Sequence, residues 1–85
     1  MSVLTRNEHV LARRHEGQLT LIFDDSVFKL DGVGEDIWRL IDGKLSVDDI
    51  CQQLGALYES QGSDIRKDTV EFLELLEREG LVERA

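Results

Sequence analysis

Apolar residues tend to alternate in Val10 to Arg13 and again in Leu19 to Phe23, where Leu19, Leu21 and Phe23 share one side and Thr20 and Ile22 the other. A period of two is that of a strand, whose successive side chains point to opposite faces. Both segments therefore predict short strands. The polar run Arg14-His15-Glu16-Gly17-Gln18 between them has the composition of a hairpin loop. Asp24-Asp25-Ser26 is a second turn signal, and Val27 to Leu30 follows as a third strand with Phe28 and Leu30 on one face. The simplest arrangement is a three-stranded meander with an edge left unpaired.

From Asp31 onward the period lengthens to that of a helix. Val33, Ile37, Leu40 and Ile41 recur at i, i+4, i+7 and i+8 with Trp38 beside them in the expected core, and Gly43 stands where a helix end favours positive φ. Ser46 suits the N-cap of a second helix and Asp48 and Asp49 its positive end, while Val47, Ile50, Leu54, Leu57 and Tyr58 form its apolar face. Gln61-Gly62-Ser63 breaks the pattern, and Ser63 or Asp64 caps a third, long helix marked by Ile65, Thr69, Phe72, Leu73 and Leu76. Gly80 ends it. If Gly80 takes the left-handed conformation of a Schellman cap, Leu81 folds back onto Leu76.

Length and composition narrow what such a chain does. Its 85 residues fit a single domain, residues 1–85, too small for a deep substrate cavity of its own, which disfavours an enzyme. No apolar run reaches the roughly 18 to 20 residues of a membrane span, and Met1 to Val10 lacks a signal-peptide core. A cytoplasmic location follows as the expectation, and a lone Cys51 without a disulfide partner agrees with a reducing compartment. The net charge is −8, and it is uneven: residues 1–23 hold three arginines against two glutamates, and residues 24–85 hold seven cations against sixteen carboxylates. That field repels phosphate polyanions.

Few residues are candidates for chemistry. His9, His15 and Cys51 lack the close spacings of a metal site, and Cys51 beside Ile50 reads as a small core residue. Asp24-Asp25 and Asp48-Asp49 have turn and helix-start roles rather than catalytic ones. Asp31-Gly32-Val33-Gly34-Glu35 lacks the Lys-Ser or Lys-Thr ending of a phosphate loop, and Glu71, Glu74 and Glu77 make a solvated helix face. These residues alone describe an acidic adaptor of βββααα order, with no metal or cofactor implied.

The run from Phe28 to Gly43, Phe-Lys-Leu-Asp-Gly-Val-Gly-Glu-Asp-Ile-Trp-Arg-Leu-Ile-Asp-Gly, resembles the signature of the PqqD-like family, also called the RiPP precursor peptide recognition element. Leu45 to Ile50 and Leu54 to Tyr58 are similar to the family's second helix, and Asp68 to Leu73 with Leu76 and Gly80-Leu81-Val82 to its last helix and terminus. The resemblance spans about residues 8 to 83 and rests on the succession of soft hydrophobic motifs; Phe28, Asp31 and the lack of proline depart from common members. It implies an α+β, winged helix-turn-helix-like fold, a three-stranded antiparallel sheet followed by three helices. It also implies binding of the leader segment of a ribosomally made precursor peptide, which is presented to a maturation enzyme such as a radical SAM enzyme, a leader peptidase or a cyclase. Members serve the making of pyrroloquinoline quinone, lasso peptides and other modified peptides, and this chain has the length of the free-standing ones. In the mode implied, the leader adds antiparallel to Val27, Phe28, Lys29 and Leu30, with side chains entering a groove walled by the third helix. Ile65, Thr69, Leu73 and Leu76 are the expected flank, bordered by Arg66 and Val70; Arg66, Lys67 and Lys29 are the cations expected near acidic leader residues.

Two rival classes share these elements. A winged helix also suits a DNA-binding regulator, but over Asp64 to Glu79 the third helix has three cations against six carboxylates, the wrong sign for phosphate contact. A dimerisation module is the other, because a free strand edge can pair with its own copy.

Overall fold

The computed structural model describes residues 3–58 and 62–84. Its elements in chain order are β1 (Leu4–Arg6), β2 (Leu11–His15), β3 (Gln18–Phe23), β4 (Ser26–Leu30), α1 (Gly32–Leu40), α2 (Val47–Tyr58), α3 (Gly62–Arg78) and β5 (Val82–Arg84). The expected meander is present as an antiparallel sheet of order β2-β3-β4, and the three helices follow it.

The hairpins form where short turns match the sheet twist. Glu16 and Gly17 both have positive φ, 53° and 82°, which makes the first connection a two-residue type I′ turn rather than the five-residue loop expected from Arg14 to Gln18. β2 consequently runs to His15 instead of ending at Arg13. Asp24 takes φ 52° in the second two-residue turn, a conformation short polar side chains tolerate. Leu21 lies at the centre of the sheet, fully buried, with Phe28 directly opposite it.

The helices are held by their ends as much as by their faces. Asp31 caps α1 by accepting from the Gly34 amide at 2.7 Å. At the other end the Arg6 guanidinium donates to the carbonyls of Trp38 and Arg39 and lies 5.2 Å from the centroid of the Trp38 ring. The expected Ser46 cap of α2 is reciprocal, with the Asp49 amide donating to Ser46 Oγ and the Ser46 amide donating to the Asp49 carboxylate, each at 3.2 Å. Gly43 has φ 82° as expected, but α1 ends at Leu40, and Gly43 sits in the following loop, where its amide donates to Leu4. Gly80, at φ 83°, makes the Schellman cap of α3: the Leu81 amide donates to Leu76 at 2.9 Å and the Gly80 amide to Glu77 at 3.1 Å. The α3 backbone is already helical at Gly62, inside the expected break, so Ser63 and Asp64, expected to cap its start, stand within the helix instead of before it.

Two further expectations change. The apolar face of α2 stops at Ile50, Cys51 and Leu54, while Leu57 is 61% exposed and Tyr58, whose hydroxyl donates to Asp36, also faces solvent. A second, two-stranded sheet joins the ends of the chain, with Leu4 opposite Arg84 and Arg6 opposite Val82. The core gathers both sheets and all three helices: Leu4, Leu21, Leu30, Ile37, Trp38, Ile41, Ile50, Leu54, Leu73, Leu76, Leu81 and Val82 form one cluster. Each such side chain contributes about 1.5 to 3 kcal/mol through burial. No described helix is long and apolar enough to cross a membrane.

Candidate functional site

The two hairpin turns decide which backbone groups face outward. Residues flanking a two-residue turn form a hydrogen-bonded pair, and bonded and non-bonded pairs then alternate along the ladder. Phe23 and Ser26 flank the second turn, so Ser26, Phe28 and Leu30 direct their N–H and C=O groups to β3. Val27 and Lys29 direct theirs away from the sheet. Counting from His15 and Gln18 in the other hairpin sends Gln18, Thr20 and Ile22 toward β2 and leaves Leu19, Leu21 and Phe23 for β4, so the two ladders agree. β4 is an edge strand, and its unpaired groups belong to Val27 and Lys29.

The same register sorts the side chains. On the inner face Ala12, Leu21 and Phe28 form one row and Arg14, Leu19 and Leu30 the next. Arg14 there donates two hydrogen bonds to the Glu35 carboxylate of α1, at 2.8 and 3.1 Å, and Arg39 donates a third at 2.6 Å. Those bonds, with that of Arg14 first, hold the Glu35 carboxyl below its ordinary value and raise the Arg14 guanidinium. The outer face carries Leu11, Ile22 and Val27 in one row and Arg13, Thr20 and Lys29 in the next.

A cleft of about 440 Å³ opens at the C-terminal half of β4. Leu30, Val33, Ile37 and Phe72 supply its apolar lining, Lys29 and Gln18 stand on the sheet side, and the carboxylates of Asp31 and Asp68 on the helix side. Gly34 lets α1 approach closely, since a Cβ there would lie 3.4 Å from the Phe72 ring and 3.2 Å from the capping oxygen of Asp31. An aromatic wall from α3 is thus brought beside an open strand edge.

Of the residues singled out from the sequence, Lys29 and Leu30 line the cleft, Phe28 is half-buried on the inner face, and Val27 is 60% exposed on the outer one. The α3 residues fall elsewhere. Thr69 and Leu73 are core residues at 0% and 2% exposure. Ile65 and Arg66 border a shallow hollow with Cys51, Gln52 and Gly55 of α2, and Arg66 pairs with Asp48 at 2.8 Å. Val70 is half-buried one turn after Arg66, and Lys67 is exposed. The α3 side of the cleft comes instead from Asp68 and Phe72, one turn apart. The apolar period marked Phe72 as inward-facing but gave no sign of which edge of that broad face meets β4 and which meets α2.

Burial pushes the Cys51 thiol up, consistent with a packed core residue, and no group of three His, Cys, Asp or Glu among the described residues could hold a metal ion.

The sequence matches the family model of coenzyme PQQ synthesis protein D (PqqD) over residues 8–82. No curated protein matches it. Two solved structures share the fold. TbiB1 in complex with the TbiA(beta) leader peptide is 23% identical with a TM-score of 0.79, covering 93% of this chain and 94% of that one. The solution NMR structure of the PqqD truncation of Methylobacterium extorquens PqqCD is described as a functional, stand-alone recognition element for ribosomally synthesized and post-translationally modified peptides. It is 26% identical with a TM-score of 0.77, covering 95% of this chain and 88% of that one.

Proposed function

Because the chain belongs to the PqqD family, we propose that it binds the leader segment of a ribosomally synthesised precursor peptide by strand addition to β4 and presents it to a modifying or processing enzyme. The observation that carries this is the open edge of Val27 and Lys29 beside the cleft walled by Phe72. An added antiparallel strand satisfies both outward amides and both outward carbonyls of those residues, and each bond contributes about 0.5 to 1.5 kcal/mol net. Its alternate side chains enter the cleft. Backbone contacts of this kind give affinity for an extended peptide, and the cleft gives the selectivity. TbiB1, which has the same fold, was solved with a leader peptide.

In this reading the protein is a non-catalytic adaptor acting in the cytoplasm, and its second partner is a maturation enzyme such as a radical SAM enzyme, a leader peptidase or a cyclase. Val27, Phe28, Lys29 and Leu30 form the strand contact, with Phe72 and Asp68 on the helix side. The excess of carboxylates on α3 disfavours duplex DNA. Fluorescence anisotropy with labelled leader peptides of ribosomally synthesised precursors, and with random duplex DNA at low salt, tests the assignment. Saturable leader binding without DNA binding is expected. Tight DNA binding with no response to the leader would refute it.

A further inference from the structure

The outer face of the β2-β3-β4 sheet carries cations unpaired among the described residues, the cleft beside β4 has two carboxylates on its helix side, and an added strand meets both. On the outer face Arg13 and Lys29 flank Thr20 in one cross-strand row, and neither cation has an ion-pair partner among the described residues. The adjacent outer row is apolar, with Leu11 52% and Val27 60% exposed on either side of Ile22. The cleft, toward which the inner positions of an added strand point, has an apolar lining with the carboxylates of Asp31 and Asp68 on its helix side, and Lys29 borders it only from the sheet side.

Directly opposed side chains on neighbouring strands interact, and like charges placed opposite one another repel. A peptide paired antiparallel to β4 has one residue opposite each of Leu30, Lys29, Phe28 and Val27, in that order from its own N-terminus. The residues opposite Lys29 and Val27 share the outer face, and those opposite Leu30 and Phe28 share the inner one.

We propose that β4 selects an alternating code in its peptide: apolar, acidic, apolar, aliphatic, with the acidic residue paired to Lys29 and the aliphatic one to Val27. The acid continues the row of Arg13, Thr20 and Lys29, and the aliphatic residue extends the row of Leu11, Ile22 and Val27 to a fourth strand. An acid moved by one position turns inward toward Asp31 and Asp68. Parity, rather than net charge, is what the site reads, and Lys29 is its specificity-determining side chain. This rests on the strand-addition reading above and specifies its ligand.

The test uses the full chain and synthetic labelled 12-residue peptides that differ only in a central tetrad, Leu-Glu-Leu-Val, Leu-Lys-Leu-Val or Glu-Leu-Leu-Val, in anisotropy titrations at low salt. Replacing the central Glu by Lys, or shifting it one place, is expected to weaken binding about 3- to 10-fold. Lys29→Glu should reverse the order of the first two peptides, and raising the salt should shrink the preference. Lys29 is exposed, so the variant keeps its core, and its circular dichroism melt verifies folding. Equal binding of all three peptides, unchanged in order by Lys29→Glu, would overturn the code and leave strand addition standing. Binding of none of them would overturn the code, and would overturn strand addition too if labelled precursor leader peptides were also inert.

Discussion

Proline placed at two neighbouring positions of β4 separates the outward edge from the paired one. Lys29→Pro removes an amide that faces away from the sheet, so pairing with β3 is kept, whereas Phe28→Pro removes an amide that bonds Leu21. At Lys29 the leader loses one hydrogen bond, about 0.5 to 1.5 kcal/mol, and its facing carbonyl is left desolvated at a further cost of about 1 to 3 kcal/mol. The sum corresponds to a loss of affinity of about 10-fold to 1,000-fold, at 1.4 kcal/mol per decade. At Phe28 the cost falls on folding, because the Leu21 partner is fully buried and cannot turn to water. There the expected loss is about 3 kcal/mol or more of stability.

Anisotropy with the leader peptide reads the first effect and urea unfolding the second. Phe28→Leu controls for the lost ring, and Lys29→Ala, which keeps the amide, should weaken binding only modestly. Amide exchange gives the same parity without mutation: the amides of Val27 and Lys29 should gain protection on binding, and those of Phe28 and Leu30 should be protected beforehand. The reasoning fails if Lys29→Pro binds normally, or if protection arises only at Ala12 and Arg14 on the opposite edge.

Thr69 Oγ1 is fully buried and finds no hydrogen-bond partner among the described residues, so Thr69→Val should raise the urea midpoint by the equivalent of about 1 kcal/mol, and a lower midpoint would show that the hydroxyl is satisfied. Glu35 has a folded-state value held below its ordinary 4.5 by Arg14 and Arg39, so its stabilisation is fully present above that pH and is lost as pH falls through the lower folded value. Glu35→Gln should therefore flatten the acid limb of the stability profile, leaving a remnant from Asp42, which the amides of Lys44 and Leu45 also hold low; an unchanged slope would refute the contribution of this cluster.

What could be read from the sequence was local. Alternation placed β3 and β4, and the pattern at Ser46 and Gly80 placed two helix ends whose hydrogen bonds involve residues within five positions. The β1–β5 sheet has no such signature, because Leu4–Arg6 and Val82–Arg84 are three-residue strands whose partners lie at opposite ends of the chain. The site divides in the same way. The β4 edge follows from hairpin order, but the cleft depends on how α3 rotates against α1. The Phe72 ring there packs beside Gly34, 3.4 Å from where a Cβ would stand. A period of 3.6 identifies an inward face on α3 without apportioning it, so Thr69 and Leu73 were indistinguishable from Asp68 and Phe72 as residues beside the leader.

The sheet has a second edge at β2, and the contrast between the two explains why one is suited to a peptide. Every residue of β2 is exposed, and none of them lines the cleft walled by Phe72. Arg13, Arg14 and His15 follow one another there, and such charge is a common means of blunting an edge against further pairing. The Arg14 side chain bonds the Gly17 carbonyl and Glu35. A strand added at β2 would gain backbone bonds and little else. β4 carries a single cation, and its C-terminal half opens onto the lining of Leu30, Val33, Ile37 and Phe72. Its end is tied to α1 through the Asp31 cap, so the edge and the wall are held in one geometry before any peptide arrives. Preorganisation of that kind lowers the cost of ordering the site, leaving the flexible leader as the main component to be ordered. The affinity of the complex should therefore respond more to restraining the peptide in an extended form than to stabilising the protein.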